Sequence, residues 1–211
     1  MSLTPGRHER KKVGTRVRKS IILIKAEGSN KTEGIYFQHF KNGKRIIRYA
    51  KGNSTDLPGM QRELQNDIAN NYPDFGTIEG DEAFLFADTD VPANLQAKER
   101  ELQQVQKAGQ VARTGAFTLV LSNPCFEVWF LAHFGFSGSP FASSKKAVEA
   151  LRKFIPEYTK SKDVYCTLEP KQETAIANAK KLAKQHLKNG NDSLISKNPW
   201  TDVYTVVEKL K

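Results

Sequence analysis

Acidic side chains stand in this chain at points where buried strands are expected to end. One apolar run leads to Glu27 and Gly28, and a second, at 82–87, leads to Asp88 and Asp90. Strand ends usually carry asparagine, aspartate or serine for turn formation, and glutamate has no such role. Glu27 is therefore a candidate for holding a metal ion or moving a proton.

Asp88 and Asp90 are two residues apart, so their side chains point the same way if the strand continues through them. Two adjacent carboxylates repel each other, and a hard divalent cation such as Mg²⁺ relieves that repulsion while it binds water and substrate phosphate. The same pair also suits a turn and the start of a helix, where aspartate is common. Taken alone, this stretch favours the turn and helix start over the metal site.

A third polar group, Ser122 and Asn123, follows the apolar segment 116–121, and Glu127 lies just beyond. Asn123 before a proline is typical of a helix start, and the helix dipole favours an anion such as Glu127 in the first turn. In an open parallel sheet, ligands bind beyond the carboxyl ends of the strands. We therefore expect these side chains to converge with Glu27.

Several other kinds of site are excluded by spacing. Lys31 and Thr32 follow Asn30 rather than glycine, so the segment is not a phosphate-binding loop. The histidines and cysteines lack zinc spacing, and no serine-nucleophile motif is present. Glu33 is interpreted as the capping-box partner of Asn30, and His133 as a packed core histidine.

The segments that must position these groups alternate in type. Apolar runs predict strands at 20–26, 44–49, 82–87 and 116–121. One-sided apolar spacing predicts helices at 30–41, 55–71, 92–108, after 122, and at 143–155, 172–188 and 201–210. This order predicts an α/β fold with a mostly parallel four-stranded sheet, helices on both faces and a helical C-terminal part.

The expected organisation is a basic disordered arm at 1–19, an α/β core at 20–135 and a helical extension at 136–211 packed on that core. The net charge is +10, and residues 1–20 contain seven Lys/Arg against one Glu. A basic arm can bind a polyanion, and nucleic acid is favoured over an anionic membrane. The alternative is that the arm is a solvated tail that aids solubility.

The residues expected to grip a nucleic-acid backbone are Arg16, Arg18 and Lys19 of the arm and, unless they form an ordinary solvated face, Lys180, Lys181, Lys184 and Lys188. No apolar run approaches the roughly 20 residues that span a membrane. The two cysteines, Cys125 and Cys166, are expected to be inert core thiols in a reducing cytoplasm.

The chain resembles two related groupings. A strand-end glutamate with Asp-x-Asp on a later strand resembles the Toprim domain over about 20–135. Four stretches together resemble the RloB family, which is found beside restriction–modification and phage-defence genes. They are E-G-x-x-x-T-E-x-x-Y-F at 27–37, F-x-D-x-D at 86–90, S-N-P-C-F-E-V-W-F-L-x-H-F at 122–134 and N-P-W-T-D-V-Y at 198–204.

The resemblance implies roles for the acidic residues. Glu27 takes the place of the Toprim general acid/base, and Asp88 and Asp90 hold Mg²⁺ or Mn²⁺, with Glu127 completing the metal shell. Gly28 would let the backbone approach a phosphate, because glycine has no side chain.

Three further residues are assigned to phosphate contact. Ser122 and Asn123 lie near the same end of the expected sheet. Lys25 stands where such strands are commonly apolar, so it points either to phosphate or to solvent.

The resulting expectation is a Mg²⁺-dependent nuclease that cleaves DNA or RNA phosphodiesters in antiphage defence. One alternative is a non-catalytic nucleic-acid-binding or sensor subunit that works with a partner ATPase. A metal-dependent nucleotidyl transferase is another, because primases share the carboxylate set, although no triphosphate motif is visible. The sequence leaves the trigger, the substrate's structure and the oligomeric state open.

Overall fold

The computed structural model describes residues 18–27, 31–90, 95–111, 115–191 and 193–211. The strands are β1 (Ser20–Lys25), β2 (Arg45–Tyr49), β3 (Glu82–Asp88), β4 (Thr118–Asn123) and β5 (Trp200–Thr201). The helices are α1 (Lys31–Phe37), α2 (Leu57–Asn71), α3 (Leu95–Val111), α4 (Glu127–Ala132), α5 (Ser144–Leu151), α6 (Tyr165–Leu168), α7 (Gln172–Lys188) and α8 (Val203–Leu210). The expectations for Arg16, Gly28 and Asn30, and for the arm as far as residue 17, lie outside the described residues.

One sheet joins the strands in the order β2-β1-β3-β4-β5. The first four strands are mutually parallel, which confirms the predicted α/β fold with a mostly parallel sheet. A fifth strand was not expected: β5 runs antiparallel to β4, with Ser122 opposite Thr201 and Asn123 opposite Trp200. Two residues are too few to produce a periodic pattern, so this strand depends on its long-range pairing with β4.

The continuous apolar character of β1 follows from burial on both faces of the sheet. Ile22 and Ile24 pack into a cluster with side chains of α4, α7 and α8. Ile21 and Leu23 point the other way, into a second cluster with side chains of α2 and α3. Successive strand residues thus serve two separate cores, and the carboxyl end of β1 lies between the two helical layers.

Helix α2 shows the one-sided pattern that the sequence predicts. Leu57, Met60, Leu64 and Ile68 are all buried against the sheet. The helix begins after Asp56, whose carboxylate caps it by accepting a hydrogen bond of 2.8 Å from the backbone amide of Gly59.

The C-terminal helices pack on the sheet. Leu151, Ala175 and Val206 share one apolar cluster with Ile22 of β1. Residues from the last third of the chain thus cover part of one face of the sheet, and β5 extends the sheet beside β4. None of the helices that the structure describes is long and apolar enough to cross a membrane.

Candidate active site

A cavity of about 370 Å³ lies at the carboxyl ends of β1, β3 and β4. Seven charged residues line it: Glu27, Glu33, Asp88, Asp90, Glu127, Lys31 and Lys160. Thr32, Thr55, Phe126 and Ser144 complete its wall. The structure thus brings Glu27, Asp88, Asp90 and Glu127 to one place, although they are distant in sequence.

The ends of β3 and β4 set the positions of the two aspartates. The amide of Thr89 donates to the carbonyl of Ser122 at 2.9 Å, and the amide of Asp90 donates to the carbonyl of Pro124 at 3.0 Å. Asp90 has φ of 45°, in the left-handed region that aspartate tolerates. The chain therefore turns at Asp90, and Asp90 does not continue the extended geometry that would align it with Asp88.

Asp90 is held at the cavity rim by the start of α5. Its Oδ1 accepts a hydrogen bond from the Ser144 hydroxyl, which also contacts the Pro124 carbonyl at 3.4 Å. Ser144 was not singled out from the sequence, because only the fold brings α5 beside β3.

Glu127 is buried at the start of α4, with 1% of its surface exposed. Its Oε1 accepts a hydrogen bond of 2.9 Å from the Tyr158 hydroxyl. Its Oε2 is buried without a hydrogen-bond partner among the described residues. Buried carboxylate oxygens rarely lack a hydrogen-bond partner, so this oxygen is suited to bind a cation or a proton.

Burial, together with neighbouring negative charges, raises the pKa values of two carboxyl groups in the cavity. Burial, followed by the charges of Glu33 and Glu127, raises the pKa of Asp88 well above its ordinary value of 3.8, while Lys160 opposes the shift. Burial also raises the pKa of Glu33 to about 7; a backbone hydrogen bond opposes this, and Glu127 adds to it. Both carboxyl groups therefore hold a proton more readily than they would in water.

Glu33 and Lys160 are site residues that the sequence interpretation did not include. Glu33 was interpreted as a capping residue because of its spacing from Asn30, although it lies within the E-G-x-x-x-T-E motif. Lys160 lies on a loop with no local signal, and the Thr32 hydroxyl donates to its carbonyl at 3.2 Å. Burial acts to lower the pKa of Lys160, but Glu127 and Asp88 raise it, so its ammonium stays charged opposite them.

Lys25 does not reach this cavity. Its side chain is fully buried, and its ammonium lies 2.8 Å from the Glu63 carboxylate and 2.9 Å from the Gly52 carbonyl. This corrects the assignment of Lys25 to phosphate or solvent contact. The residue points toward α2 because side chains alternate along β1.

Replacing Glu63 by glutamine is expected to reduce the free energy of unfolding by about 3 kcal/mol, the lower end of the range for a buried ion pair, because the Glu63 side chain is partly exposed and the buried ammonium of Lys25 loses the charge of this carboxylate. Lys25→Met, which removes the buried charge itself, is expected to cost less. Urea unfolding of both variants at pH 7 provides the measurement, and a larger loss in Lys25→Met would contradict this account.

The same pair has a predicted pH dependence. Partial burial acts to raise the pKa of Glu63, but hydrogen bonds from Lys25 and Ser54 lower it below 4.5 overall. The stabilisation is therefore present above the unfolded-state value and is lost as pH falls through the lowered folded-state value. The difference in stability between wild type and Glu63→Gln should accordingly shrink in acid.

Ser122 and Asn123 are buried between β4 and the C-terminal segment. The Ser122 hydroxyl lies 3.1 Å from that of Thr201, and the Asn123 side-chain amide donates to the Ile195 carbonyl at 2.9 Å. Asn123 ends β4 rather than starting a helix, because α4 begins only at Glu127. Both residues position the strand end and do not line the cavity.

The described residues of the basic arm lie at the amino ends of the strands, opposite to the end that carries the cavity. Arg18 pairs with Asp81, just before β3, and also contacts the Asp74 carbonyl at 3.3 Å. Lys19 contacts the Asn42 carbonyl at 3.4 Å, before β2. The amino ends of the strands hold both residues, so neither contacts a phosphate bound in the carboxylate cavity.

The remaining sequence candidates are distributed elsewhere. In α7, Lys180 pairs with Glu208 at 2.6 Å, and the ammonium of Lys181 lies 4.3 Å from the centre of the Phe136 ring. Cys125 is buried as expected, but Cys166 is exposed, which corrects its assignment to the core.

The residues of the cavity fit a divalent cation in chemistry. Carboxylate oxygens are the ligands that Mg²⁺ and Mn²⁺ prefer, and the unpartnered Oε2 of Glu127 lies among them. Within the described ranges, no three histidine, cysteine, aspartate or glutamate side chains already stand in metal-binding geometry. A bound ion would therefore require side-chain adjustment or ligands from water and substrate.

Comparison with known proteins gives one family. A family model described as RloB-like protein matches residues 22–210, from β1 to the last residue of α8. No curated protein and no solved structure matches the chain. The matched region includes every carboxylate of the cavity.

Proposed function

The chain belongs to the RloB-like family, and from that premise we propose that it is a metal-dependent nuclease with a Toprim-like fold. It cleaves phosphodiesters of DNA or RNA in antiphage defence and works in the cytoplasm. The observation that carries this proposal is the set of five carboxylates and two lysines around one cavity at the carboxyl ends of parallel strands.

Asp88, Asp90 and Glu127 would hold Mg²⁺ or Mn²⁺, which when bound supplies charge stabilisation at the scissile phosphate. Glu127 is buried, Asp88 is half-buried, and the Ser144 hydrogen bond fixes Asp90 at the rim. Tyr158 would orient Glu127 through its hydrogen bond to Oε1, and Oε2, which has no hydrogen-bond partner within the described ranges, would bind the ion.

Glu27 and Glu33 are the groups that move protons in this proposal. Glu27 is exposed beyond β1, where its carboxylate accepts a proton from an attacking water or returns one to the leaving oxygen. Glu33 is buried with a pKa near 7, so it retains a proton that it can exchange at neutral pH. Two carboxyl groups in contrasting environments suit an acid and a base.

Lys160 and Lys31 supply positive charge on the wall of the same cavity. Their ammonium groups attract the phosphate oxygens of a bound strand and offset the negative charge of the carboxylates. A polyanion can therefore approach a cavity whose carboxylates would otherwise repel it.

The competing function is a nucleic-acid-binding or sensor subunit that acts with a partner ATPase. The absence of three acidic side chains in ready metal geometry, among the residues described, is the observation that favours it. This function requires no metal and predicts that nucleic-acid affinity is unchanged when Asp88 is neutralised.

A cleavage assay tests the proposal. Wild type, Asp88→Asn and the surface control Glu79→Gln are incubated with single- and double-stranded DNA, RNA and transfer RNA, with Mg²⁺, Mn²⁺ or chelator. Metal-dependent cleavage by wild type and Glu79→Gln, lost in Asp88→Asn, is the expected result. Inactivity combined with calorimetric absence of metal binding would refute the nuclease and leave the binding subunit.

A further inference from the structure

A second cavity, of about 440 Å³, opens on the other side of α4 and α5. Aromatic and aliphatic side chains form most of its wall, with Phe134, Phe136, Phe141 and Phe154 contributed from four points along the chain. Its size lies in the range that accommodates small organic groups. Nothing in the proposed cleavage site uses these residues.

Two of its rings form a stacked platform with an open face. Phe134 and Phe154 stack with centroids 4.8 Å apart and an interplanar angle of 10°. Phe154 is nevertheless 52% exposed, and Phe136 at the same cavity is 36% exposed. Exposed flat rings are costly in water, so their clustering around one cavity indicates a surface that binds another planar group.

Lysines surround these rings. The Lys171 ammonium lies 4.4 Å from the centre of the Phe134 ring, and the Lys181 ammonium lies 4.3 Å from that of Phe136. Lys153 lines the cavity directly, and no aspartate or glutamate does so within the described part of the chain. Aromatic faces combined with cations suit a ligand that is both planar and anionic.

The platform is adjacent to the carboxylate cavity through shared helices. Glu127 faces the carboxylate cavity, whereas Val128 and Leu131 of the same helix face the aromatic one. Ser144 of α5 likewise lines the first cavity and Ala150 the second, and six helical residues span about 9 Å. A chain of nucleotides crossing α5 would therefore reach both cavities.

We infer that the aromatic cavity binds an unpaired base of a single-stranded nucleic acid, with the base stacked on Phe154 and the phosphates contacted by Lys153, Lys171 and Lys181. Only unpaired bases expose the face that such stacking needs. The inference rests on the proposed function for its ligand class and makes that class specific: single strands or unpaired loops rather than intact duplex.

The basic segment 1–17 of this chain is a poor occupant for the same surface. It contains five Lys/Arg against one Glu, and the lysines at the cavity would repel it. The charge of the surface favours an anionic ligand instead.

The test measures binding without cleavage. Fluorescence anisotropy in chelator compares wild type, Phe154→Ala, Phe136→Ala and Leu187→Ala on labelled single-stranded RNA, single-stranded DNA and a duplex of the same sequence. Leu187 is the matched control, since it is an exposed apolar residue of α7 outside the cavity. Phe154→Ala is expected to weaken single-strand binding roughly 5- to 150-fold, Phe154→Trp to preserve it, and Leu187→Ala to leave it unchanged.

A direct signal comes from a strand that carries 2-aminopurine, whose fluorescence is quenched by stacking. Quenching by wild type and not by Phe154→Ala supports the inference, and the relative affinities show whether RNA or DNA is preferred. Unchanged affinity in both phenylalanine variants, equal loss in Leu187→Ala, or preferential duplex binding would overturn it.

Failure of this inference is separable from failure of the proposed function. If Asp88→Asn abolishes cleavage while Phe154→Ala binds normally, the nuclease stands and the platform falls. If Phe154→Ala loses binding and wild type cleaves nothing, the platform stands without the nuclease.

Discussion

Asp88→Asn is expected to abolish metal-dependent cleavage and, in the same protein, to raise the thermal midpoint measured without metal. Loss of a charge that anchors the cation at the scissile phosphate should reduce the rate roughly 100-fold or more. The stability effect has the opposite sign, because burial and the charges of Glu33 and Glu127 disfavour ionised Asp88 in the folded protein. Asparagine keeps the shape of the side chain and removes that repulsion.

Calorimetry in chelator, followed by titration with Mg²⁺, provides the measurement. Each 1 kcal/mol gained should appear as about 2–4 °C in a chain of this size. Because the folded-state pKa of Asp88 is raised, its destabilising effect develops as pH rises above 3.8, and the advantage of Asp88→Asn should fade as pH falls toward that value.

Mg²⁺ should then stabilise wild type and Glu79→Gln but not Asp88→Asn. A thermal midpoint that is lower in Asp88→Asn than in wild type, without metal, would mean that the surroundings stabilise ionised Asp88. That result would contradict the destabilisation of ionised Asp88 by burial and by the charges of Glu33 and Glu127.

Tyr158→Phe is expected to weaken metal binding about 10- to 100-fold and to lower the free energy of unfolding by about 1.5–3 kcal/mol. The substitution removes the hydroxyl that donates to Oε1 of Glu127, so that neither oxygen of this buried carboxylate keeps a hydrogen-bond partner among the described residues. Residues that orient a metal ligand typically affect affinity by this factor. Isothermal titration with Mn²⁺ and urea unfolding measure the two effects separately.

A double-mutant cycle with Glu127→Gln distinguishes this role from simple packing. Tyr158 is also part of the aromatic core, 5.9 Å from the Phe130 ring. If the hydroxyl acts through the charge of Glu127, Tyr158→Phe should cost clearly less stability in the Glu127→Gln background. An equal cost in both backgrounds would show that the hydrogen bond to the carboxylate contributes nothing specific.

The regular part of the fold was predictable because its signals are local. Alternating apolar strands and amphipathic helices indicated the parallel sheet, and the buried face of α2 agrees with its predicted spacing. The bounds differ by a few residues, as for the strand expected at 116–121 and observed at Thr118–Asn123. That strand continues through Asn123 because β5 pairs with it from almost 80 residues away, and a proline-based helix signal cannot reveal such pairing.

The site divides in the same way. Glu27, Asp88, Asp90 and Glu127 follow strand ends, so the topology alone predicts that they approach one another. Other assignments depended on contacts between distant segments.

Lys25 is buried because Glu63 and Gly52 receive its ammonium. Lys160 enters the cavity because its loop is tied to Thr32. Neither contact produces a pattern in the sequence. Glu33 has the spacing of a capping-box residue, so the sequence did not indicate its position in the cavity.

Two segments of the chain contribute residues to the cavity and its supports, so neither segment forms it alone. The acidic residues of the cavity come from the strand-rich part of the chain, whereas Ser144, Tyr158 and Lys160 come from the segment after residue 135. A chimera that grafts residues 20–135 onto another helical partner would carry the acidic groups and Lys31, but it would lack Lys160 and the hydroxyls of Ser144 and Tyr158. The segment 20–135 is therefore not expected to form the complete cavity by itself, and an exchange of the C-terminal segment would also exchange these contacts.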